Sequence, residues 1–404
     1  MIELLAPAGN LAKLKIALDY GADACYIGGE IFGLRAASAS FTPEDMEEGL
    51  RYAHERGKKV YLTLNIIPHN QDIAELHDYL ESIRHLPIDA FIVSDPGTIM
   101  LLKETLGDVE IHLSTQANTT NAASARFWIK QGVSRIVLAR ELSLREIAET
   151  VTAVPEGEFE VFIHGAMCMS YSGRCLISNF LTGRDANRGD CAQSCRWNYH
   201  LVEAKRPGEY FPVEETPSGT AFFSSKDLCA LPILDQVVAS GVTSLKIEGR
   251  NKSAYYVASV VRVYREALDR LARGETALND LYEELLKVSH RDYTTGFFVG
   301  SPDDSPLGNG RLYIREYAFI GVVLDYDETR GMALIEQRNH FRVGDEIEVF
   351  GPFFRQVTCK VQAMSDEAGN EQAVAPHPKQ KLWLPLPPVK PGDYLRKKAD
   401  EPAQ

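Results

Sequence analysis

Five cysteines crowd into one stretch of this chain, and thiols are side chains that bind soft metals or act as nucleophiles. The chain has seven cysteines, and the crowded five are Cys168, Cys175, Cys191, Cys195 and Cys229. The sequence begins Met1-Ile2-Glu3 without a basic segment ahead of an apolar one, so we expect a cytoplasmic protein in a reducing compartment. In such a compartment, thiols this close together are more typical of metal ligands than of disulfides.

The spacing of the cysteines favours one kind of metal site over another. The chain has neither two Cys-x-x-Cys pairs nor a Cys pair with a His pair, which structural zinc sites generally use. Thiolates drawn from separated points of a long loop suit an iron–sulfur cluster, because each iron takes one cysteine. An iron–sulfur site is favoured, while zinc, a reactive thiol and simply buried thiols remain open. Cys25 and Cys359 are expected in apolar cores.

The elements that position these thiols follow a regular pattern. Short apolar runs alternate with amphipathic helical stretches to about residue 270, which is typical of βα units around a parallel sheet. Strict alternation of eight runs predicts a (β/α)8 TIM-like barrel rather than an open doubly wound sheet. The runs are Ile2–Ala6, Ala24–Gly28, Lys59–Asn65, Ala90–Ser94, Glu110–Ser114, Arg135–Ala139, Glu158–His164 and Ser244–Glu248.

Polar residues follow almost every one of these strands, and barrel enzymes place their chemistry at that end of the strands. For any single residue, a helix cap or a loop hydrogen bond is an equally good explanation. The recurrence at strand after strand is better explained by a polar site at the barrel mouth. The candidates include Asn65, Gln116, Arg140, Glu141, His164, Lys246, Glu248 and Arg250.

The connection between strands seven and eight is unusually long, and inserts of that length are usually functional. This insert, residues 165–243, contains all five crowded cysteines. We expect a barrel over residues 1–300 that includes this insert and C-terminal helices, a Pro/Gly/Asp-rich linker over 301–310, and a small antiparallel β-barrel domain over 311–404.

The charge of the chain is unevenly placed. The formal net charge is −13, but residues 305–404 carry 13 basic and 14 acidic side chains, so the acidity lies in the barrel. An acidic chain can still bind RNA through a local basic patch. Arg338, Arg342, Phe353, Phe354 and Arg355 interleave cations with aromatics, although both phenylalanines are better explained as core residues. No apolar run approaches the ~20 residues of a membrane span, so we expect no membrane association.

The run Glu160–Ser178 resembles the signature of peptidase family U32, the collagenase-like proteases. The resemblance continues through the whole barrel and is carried by Leu5-Ala6-Pro7-Ala8-Gly9, Phe32-Gly33-Leu34-Arg35, Gly183-Arg184-Asp185-Ala186-Asn187-Arg188-Gly189, Cys191-Ala192-Gln193-Ser194-Cys195-Arg196-Trp197, Ser224-Ser225-Lys226-Asp227-Leu228-Cys229 and Leu245-Lys246-Ile247-Glu248-Gly249-Arg250.

The resemblance implies a function. The length and single C-terminal domain most resemble the bacterial tRNA hydroxylation subgroup of this family. This resemblance implies a 4Fe–4S cluster. It also implies that the wobble uridine of tRNA is converted to 5-hydroxyuridine, with prephenate as co-substrate. The family's ligand pattern falls on Cys168, Cys175, Cys191 and Cys229, which leaves Cys195 spare although some relatives use its position. The implied partners are tRNA and a paralogous U32 subunit, and the oligomeric state stays open.

The hydroxylase interpretation assigns roles to the polar residues. We assign proton transfer and anion binding to five candidate catalytic residues, which are His164, Lys226, Asp227, Glu248 and Arg250. The candidate substrate-binding residues are Asn65, Gln116, Arg140, Glu141 and Lys246. Arg140, Lys246 and Arg250 could pair with a dicarboxylate such as prephenate, because cationic side chains bind carboxylates. For each cation, a salt bridge inside the barrel is an equally good explanation.

Two rival functions remain. A peptidase could use His164 and Cys168, yet the chain has no His-Glu-x-x-His or Gly-x-Ser-x-Gly motif and the other cysteines would be unexplained. An RNA-binding scaffold with a structural metal, whose partner performs the chemistry, is the non-enzymatic alternative.

Overall fold

The structure is a computed structural model that describes residues 2–30, 40–168, 170–188, 190–195, 226–300 and 313–399, and the backbone alone of 196, 214–216 and 219–221. The expected linker over 301–310 lies outside the described residues, as do Phe32-Gly33-Leu34-Arg35, Gly189, Trp197 and Ser224-Ser225 of the quoted motifs.

Eight parallel strands of the described chain close into a barrel. The eighth strand lies between the seventh and the first, with Ser244 opposite both Glu160 and Glu3, and this double pairing closes the ring. The predicted TIM-like barrel is therefore confirmed. Its strands are β1 (Glu3–Pro7), β2 (Ala24–Gly28), β3 (Lys59–Leu64), β4 (Ala90–Val93), β5 (Ile111–Leu113), β6 (Arg135–Val137), β7 (Glu158–Ala166) and, after the insert, β11 (Ser244–Ile247).

Helices surround the barrel and begin at the polar caps that the sequence provides. Thr42 accepts a hydrogen bond from the Asp45 N–H at 3.2 Å just before Pro43, and Ser143 with Glu146 forms a capping box. The helices are α1 (Leu11–Asp19), α2 (Pro43–His54), α3 (Asn70–Ile83), α4 (Pro96–Leu106), α5 (Ala122–Lys130), α6 (Leu144–Ala153), α7 (Ile177–Thr182), α8 (Leu234–Ala239), α9 (Ala254–Ala272) and α10 (Asn279–Leu286). In the described part of the chain, no helix is both long and apolar enough to cross a membrane.

The insert leaves β7 and returns along it. It contains α7, the hairpin of β8 (Glu214–Thr216) and β9 (Gly219–Ala221), and β10 (Asp227–Cys229). β10 runs antiparallel to the end of β7, with Cys229 opposite His164, and β12 (Tyr293–Thr294) pairs with β10. The first half of β7 thus belongs to the barrel, and its second half holds the insert at the carboxyl end of the strands.

Residues 313–399 form an antiparallel β domain with its own apolar core, as the sequence predicted. In these residues seven strands make one sheet, in the order β17-β16-β21-β13-β14-β20-β18, and β15 pairs with β19. The strands are β13 (Tyr317–Asp327), β14 (Met332–Gln337), β15 (Phe341–Arg342), β16 (Glu346–Phe350), β17 (Gln356–Lys360), β18 (Ser365–Asp366), β19 (Val374–Ala375), β20 (Lys381–Pro385) and β21 (Tyr394–Lys398).

A buried network of charges joins this β domain to α9 and α10. The Glu284 carboxylate lies 2.6 Å from the Arg262 guanidinium and 2.5 Å from that of Arg396, and both arginine side chains are almost wholly buried. Glu348 pairs with Arg396 at 2.6 Å and with Lys287 at 2.9 Å. Although burial alone would raise the pKa of Glu284, Arg396 and Arg262 hold it at about 2. Glu284 is therefore ionised at neutral pH and compensates two buried cations.

Removing this carboxylate should be costly. Glu284→Gln leaves buried guanidinium charge uncompensated, so we expect the free energy of unfolding to fall by about 3 kcal/mol. The matched control is Asp280→Asn, also on α10 and also paired with an arginine of α9, Arg270, but largely exposed. The control should cost less than about 1 kcal/mol. Urea unfolding measures both, and equal losses would contradict the assigned importance of the network.

Candidate functional site

Arg250 is fixed at the mouth of the barrel by the strand ends around it. It is buried, and its Nη1 donates to Thr63 Oγ1 at the end of β3, 2.9 Å away. A Cβ atom at position 28 would overlap the Arg250 guanidinium, so Gly28 is needed for the close approach. The structure thus brings Arg250 and the Gly28-Gly29 strand end together and places a guanidinium group in this part of the mouth.

The insert lies over the mouth and is anchored to the loop after β6. Arg140 donates from Nη1 to the Ala166 carbonyl and from Nη2 to Ser172 Oγ, both at 2.8 Å. Asn118, after β5, donates to the Ser172 carbonyl at 3.0 Å and accepts from Arg174 Nε at 2.8 Å. These bonds fix the turn that lies between Cys168 and Cys175.

A second anchor ties the insert to the loop after β3. Arg188 pairs in bidentate fashion with Asp72 of α3, at 2.6 and 2.7 Å, and this hydrogen bonding lowers the pKa of Asp72 to about 2. The Ile67 N–H donates to the Asn187 carbonyl at 3.3 Å. Because the two anchors lie on different strand ends, the insert spans the mouth.

Arg140 also lines a small cavity with apolar walls. The guanidinium lies 4.9 Å from the centre of the Phe162 ring, and Leu228, Phe297 and Phe298 complete much of the lining. The neighbouring Glu141 is half-buried, and burial raises the pKa of its carboxyl. A cation beside a carboxyl with a raised pKa is an arrangement that suits both anion binding and proton transfer.

Gln116 and Asn65 lie at the neighbouring strand ends. Gln116 is buried in the 3-10 turn after β5, beneath Gly173 of the insert, and neither of its amide atoms has a hydrogen-bond partner among the described residues. Asn65 donates to Ser114 Oγ at 3.4 Å. The structure therefore places Gln116 and Arg140 against the insert, and Asn65 and Arg250 at the strand ends of the same barrel.

Lys246 serves the barrel interior. Its Nζ lies 2.8 Å from Glu160 Oε1, and both side chains are almost wholly buried. The same Glu160 accepts from Ser244 Oγ at 3.0 Å and lies 3.5 Å from Arg135. The salt bridge inside the barrel, which the sequence left as an alternative for each cation, is what the structure shows for Lys246.

His164 is enclosed by tyrosine rings. The rings of Tyr256 and Tyr264 from α9 and of Tyr293 lie within about 6 Å of its ring, and its Nδ1 is 3.3 Å from the Tyr264 hydroxyl. Burial lowers the pKa of His164 to about 3. The imidazole is therefore neutral at physiological pH. Because the Tyr264 hydroxyl donates to the Ile163 carbonyl at 3.0 Å, its oxygen can accept a hydrogen bond from His164 Nδ1–H.

The other predicted catalytic residues lie close to this aromatic group. Asp227 is buried in an ion pair with Arg291, whose backbone N–H also donates to it at 3.2 Å. Lys226 precedes it at the start of β10 and is half-buried. Glu248, also half-buried, follows β11, and its carbonyl accepts from the Tyr256 hydroxyl at 3.0 Å. A Cβ at Gly165, which has a φ of 108°, would meet that same carbonyl, so glycine is required there.

The predicted metal ligands lie in two different environments. Cys168 and Cys191 are exposed and Cys175 is half-buried, all on the insert, whereas Cys229 is buried with its Sγ 3.8 Å from the Tyr264 hydroxyl. Burial raises the pKa of Cys229 to about 11, which disfavours the thiolate that a metal requires. Within the described residues, no three His, Cys, Asp or Glu side chains are arranged to hold a metal ion. As placed here, the four cysteines do not surround one point, and their ligand roles stay predictions.

Sequence reasoning missed the residues that hold the insert. Asn118, Ser172 and Asp72 are ordinary polar residues in sequence, and their partners lie far along the chain. A sequence signal did exist for Arg188, because it lies in the quoted motif Gly183–Gly189. Arg184 of the same motif pairs with Asp190 at 2.6 Å. Arg291, the partner of Asp227, follows a histidine, and no sequence pattern pointed to it.

Arg140 should control how firmly the insert is held. Arg140→Lys cannot make both hydrogen bonds from one planar group, so we expect amide hydrogen exchange over residues 171–175 to become about tenfold faster. Arg145→Lys, an exposed position on α6, is the matched control. Unchanged exchange in the Arg140 variant would show that other contacts hold the turn.

Comparison with known proteins places the chain in a family. The models of peptidase family U32 and of the peptidase family U32 C-terminal domain match residues 9–306 and 315–396. The chain is 42% identical to tRNA hydroxylation protein P1 of Bacillus subtilis, over 98% of this chain and 94% of that protein. It is 37% identical to tRNA hydroxylation protein P of Escherichia coli, over 95% and 94%, and 34% identical to a collagenase of Porphyromonas gingivalis, over 97% of each. With both of its domains matched, the chain belongs to peptidase family U32.

Proposed function

We propose that this protein takes part in the hydroxylation of tRNA. The observation that carries the proposal is the similarity to tRNA hydroxylation protein P1 over nearly the full length of both chains, which includes the β domain as well as the barrel. The protein is then an enzyme, or the catalytic part of one, with tRNA as its substrate.

The finer proposal is conversion of the wobble uridine to 5-hydroxyuridine with prephenate as co-substrate. Its support in the described residues is a pair of guanidinium groups at strand ends of the barrel. Arg250 is held against Thr63, and Arg140 stands beside an apolar cavity. A small molecule with carboxylates and a hydrocarbon ring would pair with this guanidinium and with the Phe162 ring, and the small cavity would have to open to admit it.

The residues of the mouth would divide the remaining tasks. Arg140 and Arg250 would bind and orient carboxylate groups, and Glu141, whose pKa is raised by burial, would be the carboxyl that exchanges a proton. Gln116 offers one donor and one acceptor in a buried place, as recognition of a base edge requires. The insert covers these groups and excludes water from them.

We also propose that the insert cysteines bind a 4Fe–4S cluster, which would supply electron transfer or substrate binding. The support is chemical: Cys168, Cys175 and Cys191 lie on one insert with exposed or half-buried thiols. For Cys229 to join them, its thiol must leave Tyr264, because it is buried there.

The cluster proposal predicts the metal content. Protein purified without oxygen should contain about four iron and four sulfide per chain. Cys175→Ser and Cys191→Ser should lose most of the iron, whereas Cys359→Ser, in the β domain, should keep it. Cys229→Ser tests whether Cys229 is a ligand of the cluster. If this variant keeps its iron, Cys229 is not one of the four ligands. A colourless, zinc-loaded protein would contradict the cluster.

The peptidase alternative is favoured by the similarity to a protein named collagenase. The structure gives it little chemical support, because a cysteine peptidase needs a histidine that can take the thiol's proton. His164 is enclosed by tyrosines, and burial lowers its pKa to about 3. Such a histidine is a poor base for Cys168.

A deletion strain tests the function directly. Its tRNA should lack 5-hydroxyuridine and its derivatives, and the wild-type protein should restore them. Arg250→Gln should fail to restore them if this guanidinium binds the co-substrate, while Arg145→Gln, exposed on α6, should succeed. Unchanged tRNA in the deletion strain, together with cleavage of collagen by the purified protein, would decide for the peptidase. If Arg250→Gln restores the modification fully, Arg250 does not bind the co-substrate.

A further inference from the structure

The outer side of the insert carries large apolar side chains that face water. Leu176, at the N-cap of α7, is 66% exposed, and Phe180, four residues later in the helix, is 87% exposed. Tyr171 and Leu181, which are near them in sequence, are also exposed. We call these four residues the insert patch. Isolated exposed apolar side chains are normal, but four within eleven residues indicate a binding surface.

The insert patch is held in place from behind. Ser178 lies on the opposite side of α7 and is buried, and its Oγ donates to the Arg184 carbonyl at 2.8 Å and accepts from the Ala192 N–H at 2.9 Å. The Arg140 and Arg188 anchors fix the two sides of the same insert. A surface that is already ordered loses less entropy when it binds.

The charge of this region points to an anionic occupant. Residues 170–196 contain four arginines and two aspartates, in a chain whose net charge is −13. Arg184 and Arg188 are paired with Asp190 and Asp72. Arg174 is exposed at the edge of the patch, and the bond that the structure gives it is to the neutral amide of Asn118, so its charge is available to a phosphate.

We propose that the insert patch is the docking surface for a single-stranded RNA loop. Bases would stack on Phe180 and Tyr171, and the backbone would pass Arg174. Aromatic side chains interleaved with arginine are what unpaired RNA requires, because every base has a face that can stack. This inference rests on the proposed function and deepens it, since it names the surface that brings the RNA loop to the barrel mouth.

The test uses the full chain and a labelled RNA hairpin with the stem and loop of a tRNA anticodon arm. Phe180→Ala should weaken hairpin binding about tenfold, because one stacked base is lost. The matched control, Phe127→Ala, removes a phenylalanine that is 55% exposed on α5, and it should change binding less than twofold. Arg174→Gln should lower the salt dependence of binding by about 0.7 in slope.

Three results would overturn the proposal. The first is that Phe180→Ala binds the hairpin as tightly as the wild type does. The second is that the wild type prefers duplex RNA without a loop. The third is that Phe180→Ala still binds RNA but no longer associates with itself or with a second U32 subunit. The last result would assign the patch to a protein. Failure here is distinct from failure of the proposed function, because 5-hydroxyuridine in the complemented deletion strain is measured separately from hairpin binding.

Discussion

The barrel depends on a buried charge network that joins the strands where it closes. The Glu160 carboxylate of β7 is wholly buried and contacts Ser244 and Lys246 of β11 and Arg135 of β6, while Ser244 also donates to Glu3 of β1 at 2.9 Å. Although burial alone would raise the pKa of Glu160, Lys246 and Arg135 hold it below its ordinary value. A charge left without partners at this depth would cost several kcal/mol, so β11 must return to one register after the long insert.

That requirement also fixes the barrel mouth. Once β11 is in register, Arg250 lies beside Thr63 and Gly28, and Glu248 lies beside Gly165 at the start of the insert. The insert then follows β7 and is tied down by Arg140 and Arg188. The same barrel strands therefore hold the cavity beside Arg140, the buried Gln116 and the insert patch. The patch lies on the outer side of the insert, and the polar groups lie on its inner side.

The β domain is joined to the barrel through α9. One side of that helix supplies Tyr256 and Tyr264 to the group around His164, and another supplies Arg262 to the network with Glu284 and Arg396. The phenylalanines of the β domain behave differently from one another. Phe354 packs beneath Arg262, as a core residue was expected to do, whereas Phe353 is 92% exposed.

The sequence by itself determined the barrel, the position of the insert and the C-terminal β domain. Periodic apolar runs, caps such as Thr42 and the crowded cysteines are local signals, and family motifs extend along the barrel. Only the tertiary structure decided which polar residues face the mouth. The sequence suggested Lys246 as a substrate ligand and Asp227 as a catalytic group, yet Lys246 is paired with Glu160 and Asp227 with Arg291. His164 follows a strand end but is enclosed by tyrosines of a helix about 100 residues later. The physical reason is that burial and pairing depend on contacts between distant segments, and no local pattern records them.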